Sequence, residues 1–415
     1  MELNTTEPVA GTAAGEQPLE VLVVEFLPSG GMFQFSYLFG EALAALGHQV
    51  TLLTGPSPEL ASRRAGFVVD PSLPTWHPNE GLETGGLRRK ARRGLRALQL
   101  VAAWGSVLAR VRRERPDVVQ FGELRYTLDT AAFALVARFG GARAVVDVAH
   151  NPVPYDVTGS SDSVEKSGRL TRALLARAYA AADLVLVLGD GPRGELLRAF
   201  PDVRRTAVCG HGDYSALVRS EAVDVLPSAA PPAALFFGAW TKYKDIPLLL
   251  DGFALVREEL PEATLTLAGP VMPDVDLEEV RRRAEPIGGV DLRPGYVAIE
   301  DLPELFAQHR AVMFTYATVN ISGSVHMAYT FGRPVVATRV GAMEDAVEDG
   351  VTGLLAEPTP RAVADAMLAV LGDPERADAL GAGAREHAER SSTWSGVAEK
   401  AVAAYRETLA GSDGR

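Results

Sequence analysis

The segment of residues 311–358 restricts the fold of this chain more than any other. An apolar run at 311–314 predicts a buried strand, and a second run at 334–338 predicts another. Between them lie Ser322, Gly323 and Ser324, followed by a short stretch with helical periodicity. Buried strands joined by a helix are typical of a parallel sheet covered on both faces. Small residues at a helix start leave backbone N–H groups accessible, so this turn also indicates a site for a phosphate or diphosphate.

The same alternation of apolar runs and helical segments occurs twice along the chain. The first series of predicted strands is 19–26, 49–54, 117–121, 144–149 and 183–188. The second series is 234–238, 263–268, 290–293, 311–314, 334–338 and 353–356. We therefore predict an α/β fold with two Rossmann-like, doubly wound domains that face each other across a cleft, where a ligand would bind.

The predicted domain boundaries follow from composition. Residues 1–18 are polar and predict a disordered tail, without the pattern of a signal peptide. The first domain is expected over 19–219, and a segment rich in proline, alanine and serine at 220–234 is the predicted linker. The second domain is expected over 235–394, and a helix at 395–415 is a candidate to cross back to the first domain.

Composition also limits the class of protein. The single cysteine, Cys209, excludes an internal disulfide and suits a reducing, cytoplasmic compartment. A net charge of −12 argues against general nucleic-acid binding. No run of about 18 apolar residues occurs, so the sequence predicts no membrane span.

Four segments, taken in chain order, resemble the motifs of GT-B glycosyltransferases, and in particular those of the retaining family 4. Gly30-Gly31 is similar to the family's first glycine loop, and residues 147–155 to its histidine loop. The strand at 183–188 with Cys209-Gly210-His211-Gly212 resembles the end of its first domain. Gly238 and Lys244, within 234–256, match a strand, glycine and lysine motif of the second domain. Together with the turn at 322–324, these motifs have GT-B spacing.

The resemblance implies a set of residues that bind the donor, a nucleotide-diphosphate sugar. These candidates are Gly30, Gly31, Lys242, Lys244, Tyr296, Val297, Asn320, Ser322, Gly323 and Ser324. His150 is the candidate catalytic residue, since a histidine at a strand end can assist the departing charge. His211 and Gly212 are expected between the domains, as hinge packing or as ligand contacts. The resemblance implies no cofactor and no metal.

Each assignment has a structural alternative that the sequence leaves open. The two lysines also suit a solvated loop, and the serines suit ordinary helix capping. A lone histidine is more often structural, and Gly30-Gly31 also suits a tight turn. Asp274 and Asp276 are spaced like a metal pair, but helix capping explains them better.

The sequence departs from the family in its acidic residues. Many members carry two glutamates at positions that are Val319 and Met327 here, where they contact the donor sugar and ribose. Asn320 is a candidate substitute. Ala239 stands where many relatives have an arginine beside the diphosphate, and Lys242 is a candidate to compensate.

The candidate acceptor-binding residues and a strongly basic segment both lie in the predicted first domain. Glu123 and Tyr126 follow a predicted strand end of the first domain and are the candidate acceptor-binding residues. Residues 88–115 contain ten Arg or Lys and one Glu, interleaved with leucines. Such a helix can lie on an anionic membrane, although we favour a solvated face, the more common role of a charge run.

The resemblance implies a metal-independent hexosyl- or deoxysugar-type glycosyltransferase that acts with retention of configuration. A nucleotide-sugar epimerase, a phosphorylase and a non-catalytic nucleotide-sugar-binding protein share this fold and stay as alternatives. A dehydrogenase that uses NAD is disfavoured, because no G-x-G-x-x-G motif follows the first strand.

Overall fold

The computed structural model describes residues 17–77, 86–122, 124, 127–153, 169–218, 225–318, 323–391 and 393–412. The chain divides into two compact units. The first comprises Met1–Val153, Gly168–Gly210 and Trp394–Arg415, and the second comprises Pro154–Ser167 and His211–Thr393. The predicted tail lies outside the described residues, apart from Gln17 and Pro18.

The first unit is built on a parallel sheet that has seven strands within the described chain, in the order β3-β2-β1-β4-β5-β6-β7. Its strands are β1 (Glu20–Val24), β2 (Gln49–Leu53), β3 (Phe67–Asp70), β4 (Val118–Phe121), β5 (Ala144–Ala149), β6 (Leu184–Val187) and β7 (Thr206–Val208). Strands β4, β5 and β6 are buried along their whole length, which explains their continuous apolar sequence.

Helices cover both faces of this sheet. The helices of the first unit are α1 (Gly31–Ala45), α2 (Gly86–Glu114), α3 (Thr127–Phe139), α4 (Arg169–Ala181), α5 (Asp190–Ala199) and α13 (Trp394–Ser412). Helices α2 to α5 share one apolar core on one face of the sheet. Helix α13 packs against α1, and its buried Tyr405 donates a hydrogen bond to Gln120 of β4. The last helix of the chain therefore belongs to the first unit.

The second unit contains a parallel sheet of six described strands, in the order β10-β9-β8-β11-β12-β13. The strands are β8 (Ala233–Phe237), β9 (Thr264–Gly269), β10 (Val290–Pro294), β11 (Ala311–Phe314), β12 (Val335–Thr338) and β13 (Gly353–Ala356). Its α-helices are α6 (Ile246–Glu259), α7 (Leu277–Ala284), α8 (Leu302–Ala307), α9 (Gly323–Thr330), α10 (Met343–Ala346), α11 (Pro360–Leu371) and α12 (Pro374–Ser391). Short 3-10 turns are Ser215–Leu217, Pro227–Ala229, Lys242–Lys244 and Ile299–Asp301.

The predicted fold class, with two doubly wound α/β units, is confirmed. Two strands were missed by sequence reasoning, β3 and β7. Both lie at an edge of the first sheet and are four and three residues long. β3 buries only its first residue, and β7 is half-buried throughout, so neither needs the continuous apolar run that marks a central strand.

Candidate functional site

Three neighbouring strands of the second unit end in glycines whose backbone conformation favours glycine. Gly238, Gly269 and Gly295 have φ angles of +109°, +146° and +148°. The N–H of Gly238 donates to the carbonyl of Ala268 at 3.0 Å, and that of Gly295 donates to the carbonyl of Gly269 at 3.0 Å. A Cβ atom on Gly269 would lie 2.1 Å from the Gly238 carbonyl oxygen. We call this carboxyl end of β8, β9 and β10 the glycine edge.

A lysine and a serine converge on the glycine edge. A Cβ atom on Gly238 would lie 2.9 Å from Nζ of Lys244 and 3.1 Å from Oγ of Ser324. The space in front of this glycine is therefore bounded by an ammonium, a hydroxyl and main-chain groups. These are the groups that bind phosphate oxygens in proteins.

Lys244 is buried, and within the described residues it has no negative partner. Its side chain is 5% exposed, and Nζ lies 5.6 Å from the ring centroid of Phe236 and 5.4 Å from that of Tyr316. No carboxylate of the described chain forms an ion pair with it, and burial alone lowers the pKa of Lys244 to about 7. Buried charges are normally paired. An anion at the glycine edge would supply the missing charge.

Local backbone structure fixes this lysine in place. Lys244 ends a 3-10 turn, and its carbonyl oxygen accepts a hydrogen bond of 3.2 Å from the Thr315 hydroxyl. Asp245 follows in a left-handed conformation, with φ 45°, and caps α6 through Leu248 N–H. Lys242 differs: its side chain is exposed, and its backbone N–H donates to Asp274 at 3.1 Å.

Helix α9 begins beside Lys244, and His211 lies against the first residue of this helix, Gly323. A Cβ atom on Gly323 would lie 3.0 Å from the Tyr214 hydroxyl and 3.3 Å from Nε2 of His211. The His211 ring stacks on His326 at 4.6 Å with an interplanar angle of 5°. Burial lowers the pKa of His211 to about 4, so the ring is neutral near pH 7. Its Nδ1 lies 2.6 Å from the Gly212 carbonyl, which can only accept, so Nδ1 carries the proton.

A cavity of about 410 Å³ lies at the carboxyl ends of β9 and β10. The predicted residues Tyr296 and Val297 line it, together with Arg293 and residues of the following helix, including Glu304 and Gln308. Two strand spacings, roughly 10 Å, separate the carboxyl ends of β8 and β10. The cavity and Lys244 thus lie at opposite ends of the glycine edge.

The glycine loop of the first unit has a different environment. Gly30 caps α1 with φ 90°, and a Cβ atom on Gly30 or Gly31 would meet nothing within 4 Å. The Gly30 N–H donates to Oε2 of Glu59 at 3.2 Å, and the Gln34 amide donates to the same oxygen at 3.2 Å. A carboxylate of the protein therefore already lies at this helix N-terminus.

His150 follows β5 in the first unit, as expected from the sequence. The residue is buried, and its ring packs edge-on against Phe35 with a centroid distance of 4.6 Å. Phe35 in turn packs against Trp394 of α13 at 5.1 Å. The last helix of the chain thus supports the ring that positions the candidate catalytic histidine.

Several predicted residues lie outside the described part of the chain. They are Glu123, Tyr126, Val319, Asn320 and Ser322. Met327, the second position where relatives carry a glutamate, is described: it is 3% exposed in the core side of α9. The capping role of Asp276 is confirmed, since its carboxylate accepts from the N–H groups of Glu278 and Glu279 at the start of α7.

Sequence reasoning missed Tyr214, Tyr316 and His326, which surround Lys244, Gly323 and His211. Tyr316 carried a usable signal, because it stands two residues after a buried strand end. Among the residues with described side chains, no group of three or more His, Cys, Asp or Glu could hold a metal ion. None of the described helices is long and apolar enough to cross a membrane.

Two family models match the chain, and together they extend over most of it. Residues 29–212 match Glycosyltransferase Family 4, and residues 231–373 match Glycosyl transferases group 1. The first match lies mainly in the first unit, and the second match lies within the second unit.

Curated relatives include D-inositol 3-phosphate glycosyltransferases. That of Kribbella flavida is 31% identical, with 62% of this chain and 61% of the relative covered. That of Corynebacterium glutamicum is 32% identical, with 42% of this chain and 43% of the relative covered. The alpha-maltose-1-phosphate synthase of Mycolicibacterium smegmatis is 26% identical, with 56% of this chain and 65% of the relative covered. The chain spans less than two thirds of the length of each of these relatives.

Solved structures show the same fold at lower identity. Sucrose-phosphate synthase from Thermosynechococcus elongatus has a TM-score of 0.70 at 21% identity, covering 95% of this chain and all of that chain. Anabaena HepE, solved with UDP and glucose, has a TM-score of 0.67 at 16% identity, covering 94% and 100%.

Proposed function

The chain belongs to the glycosyltransferases of family 4 and group 1, and we propose that it transfers a sugar from a nucleotide-diphosphate sugar to an acceptor hydroxyl. The observation that carries this proposal is the buried ammonium of Lys244 in front of Gly238, with which no carboxylate of the described residues pairs. A diphosphate there would restore charge balance and accept hydrogen bonds from Lys244 and Ser324. Charge-assisted hydrogen bonds of this kind contribute about 1.5–3 kcal/mol each.

The geometry of the second unit also has room for the rest of a nucleotide. The 410 Å³ cavity beside Tyr296 and Val297 is of a size that accommodates a nucleobase. Between this cavity and Lys244, Gly295 would have open space at its Cβ position and Gly269 packs closely against the backbone of Gly238. HepE was solved with UDP and glucose, and this supports a nucleotide-sugar donor for the present chain.

The proposed chemistry relies on positioning and charge stabilisation. In the retaining scheme of the family, the leaving diphosphate helps to take the proton from the acceptor hydroxyl. The sugar keeps its anomeric configuration, and no enzyme nucleophile is needed. Lys244 would stabilise the charge that develops on the diphosphate as the glycosidic bond breaks. We propose that neither a metal ion nor a further cofactor takes part, and that the first unit binds the acceptor.

A second candidate function is supported by one observation. The position of a family glutamate is held by Met327, which is buried in α9 and cannot accept hydrogen bonds from ribose or sugar hydroxyls. This substitution favours a nucleotide-sugar-binding protein without transferase activity. A nucleotide-sugar epimerase would instead require acidic groups around the sugar.

One experiment separates these functions. The protein is incubated with UDP-, GDP- and dTDP-sugars, with and without acceptors, and released nucleotide and glycoside are measured. Because the relatives are named for inositol phosphate and maltose phosphate, phosphorylated polyols and sugars belong in the acceptor set. We expect acceptor-dependent nucleotide release that persists in EDTA, and a product whose anomeric proton coupling matches the donor. Binding of nucleotide sugar without turnover for any acceptor would favour the non-catalytic alternative.

A further inference from the structure

Three residues from separate elements of the first unit converge at the carboxyl ends of β1 and β4. Glu25 directly follows β1, Gly122 directly follows β4, and Ser36 lies in α1. A Cβ atom on Gly122 would lie 2.7 Å from Oε2 of Glu25 and 3.2 Å from Oγ of Ser36. Glycine therefore leaves room for the carboxylate, which any Cβ atom would displace. We call Glu25, Ser36 and Gly122 the Glu25 cluster.

The serine hydroxyl of this cluster is buried without a hydrogen-bond partner among the described residues. Ser36 is 1% exposed, and its Oγ makes no hydrogen bond within that part of the chain. Such a hydroxyl costs free energy, so nearly all buried polar groups in folded proteins are paired. Glu25 is 3% exposed; its Oε1 accepts from the Leu27 N–H at 3.1 Å, and its Oε2 faces Gly122. A ligand hydroxyl at this point would donate to the carboxylate and accept from Ser36.

The Glu25 cluster lies on the same edge of the sheet as His150, the candidate catalytic residue. Strands β1, β4 and β5 are neighbours in that order, and Glu25, Gly122 and His150 are the residues that directly follow them. Helix α1 contacts both ends of this row. Its Ser36 lies beside Gly122, and its Phe35 packs on the His150 ring at 4.6 Å. Two strand spacings, roughly 10 Å, separate the ends of β1 and β5. A sugar or polyol bound to Glu25 would therefore lie along the edge that leads to His150.

The charge at this edge is negative within the described residues. The described residues that follow β1, β4 and β5 contain no Lys or Arg; they are 25–30, 122, 124 and 150–153. Glu59 adds a second carboxylate at the start of α1, where it accepts from the Gly30 N–H. A phosphate at this edge would be repelled by both carboxylates. The arrangement disfavours an anionic acceptor and suits the hydroxyl groups of an uncharged one.

We propose that the acceptor is an uncharged sugar or polyol whose hydroxyl groups bind to Glu25 and Ser36. A carboxylate accepts hydrogen bonds from two hydroxyls at once, and the serine hydroxyl donates to an acceptor oxygen. The proposal rests on the glycosyltransferase function proposed above and adds the class of acceptor. This acceptor lacks the phosphate that appears in the names of the curated relatives. Glu25 and Ser36 select and orient the acceptor, and its proton still passes to the leaving diphosphate.

The first experiment compares acceptors that differ only in a phosphate. Inositol and inositol 3-phosphate, glucose and glucose 6-phosphate, and maltose and maltose 1-phosphate form three matched pairs. Glycoside formation by the full chain with UDP-, GDP- and dTDP-sugars gives kcat and KM, and saturation-transfer NMR gives acceptor binding without turnover. We expect the uncharged member of at least one pair to bind, with a kcat/KM about tenfold or more above that of its phosphorylated partner. Preference for a phosphorylated member, or no binding of any uncharged member, would overturn the proposal.

Two variants with a matched control test the carboxylate. Glu25→Gln keeps an oxygen for the Leu27 N–H but removes the charge, so the acceptor KM should rise about tenfold or more with donor affinity unchanged. Gly122→Ala places a Cβ atom against Oε2 and should raise the acceptor KM through displacement of the carboxylate. The control is Glu41→Gln, in the same helix as Ser36, where Glu41 accepts from the Tyr37 hydroxyl at 2.9 Å. It should leave the acceptor KM unchanged. An unchanged KM in Glu25→Gln would contradict the assignment.

Ser36→Ala separates an acceptor site from a structural role. Removal of a buried hydroxyl without a partner should leave the Tm unchanged or raise it, whereas the acceptor KM should rise about threefold to tenfold. A buried water that bridges Ser36 and Glu25 predicts the reverse, a lower Tm with an unchanged acceptor KM, and that result would overturn the proposal. Failure of the transferase function has a different signature. No donor would then give glycoside with any acceptor, while binding of an uncharged probe that depends on Glu25 would still support the site.

Discussion

The carboxyl edges of the two sheets have similar backbones but opposite charge arrangements. In the first unit, the N–H of Gly30 at the start of α1 donates to the carboxylate of Glu59. In the second unit, the ammonium of Lys244 lies beside Gly238, and no described carboxylate pairs with it. The first edge has its anion supplied by the protein, and the second has a buried cation for which the described residues supply none.

This difference shows that a glycine loop after a strand does not by itself identify a phosphate site. Positive partial charge at a helix N-terminus attracts any anion, including a side chain of the same chain. The charges around the loop decide whether a ligand is needed. On this basis the second unit is the better candidate to bind the diphosphate. Gly30 and Gly31 stay predicted donor contacts, although the charge beside them, the Glu59 carboxylate, would repel a phosphate.

The largest expected effect tests whether the first unit contributes to the reaction through His150. His150→Ala should lower kcat about 10²- to 10⁴-fold with little change in donor affinity, if the imidazole interacts only with the transition state. Steady-state kinetics and a thermal melt on the same variant measure both. Phe35→Leu, which removes the ring packed against both His150 and Trp394 and leaves the imidazole in place, is the control and should affect kcat less. An unchanged kcat with a lower Tm would assign His150 to packing.

The next effect tests the second unit directly. Lys244→Met should weaken nucleoside diphosphate binding by roughly 1.5–3 kcal/mol, or about tenfold to a hundredfold, because the charge-assisted hydrogen bond is lost. Lys242→Met is the matched control: its side chain is exposed, so we expect a smaller loss. Calorimetric titration measures both. Equal losses for the two variants would remove the distinction between a buried and an exposed cation.

The lowered pKa of Lys244, about 7, predicts a pH dependence with a definite sign. Above pH 7 the free protein has a neutral lysine, and binding an anion raises its pKa, so binding takes up a proton. Affinity for a nucleotide sugar should be flat below about pH 7 and fall by up to tenfold per pH unit above it. Lys244→Arg keeps its charge and should abolish this fall. Calorimetry in buffers of different ionisation enthalpy detects the proton directly.

The same group affects stability in the free protein. The unfolded chain binds more protons than the folded chain between pH 7 and pH 10.5, because the pKa of Lys244 is lowered on folding. The free energy of unfolding should therefore rise with pH through this window, and Lys244→Met should remove the rise. An identical pH profile for the variant would mean that the lysine is solvated in the folded state.

The smallest effect concerns the first unit. Glu59→Gln keeps a hydrogen-bond acceptor for the Gly30 N–H but removes the negative charge at the start of α1. We expect a loss of stability of about 0.3–1 kcal/mol and no change in nucleotide affinity. A gain in nucleotide affinity would show that this helix N-terminus competes for phosphate, and the contrast between the two edges would fail.

Much of the site was predictable because strand ends can be recognised in sequence. Gly238 follows an apolar run that indicates a buried strand, Gly295 follows the predicted strand at 290–293, and Lys244 comes six residues after Gly238. The sequence could not show that Lys244 is buried and that Lys242 is exposed. Both stand in the same turn, and burial depends on Phe236 and Tyr316 of two neighbouring strand ends. Tyr214 and His326 were missed for the same reason, since only the folded chain brings them beside Gly323 and His211.

The sequence by itself determined the two parallel α/β units, because strands buried on both faces must be apolar along their length. It also determined the order of the glycine, lysine and histidine motifs, which lie at strand ends whatever the details of packing. Tertiary structure alone decided which charges find partners. It placed Glu59 at the start of α1, placed Lys244 among aromatic rings with no carboxylate of the described residues beside it, and turned Leu95 and Leu98 outward. Pairing and exposure depend on distances between segments far apart in the chain, and no local pattern encodes these distances.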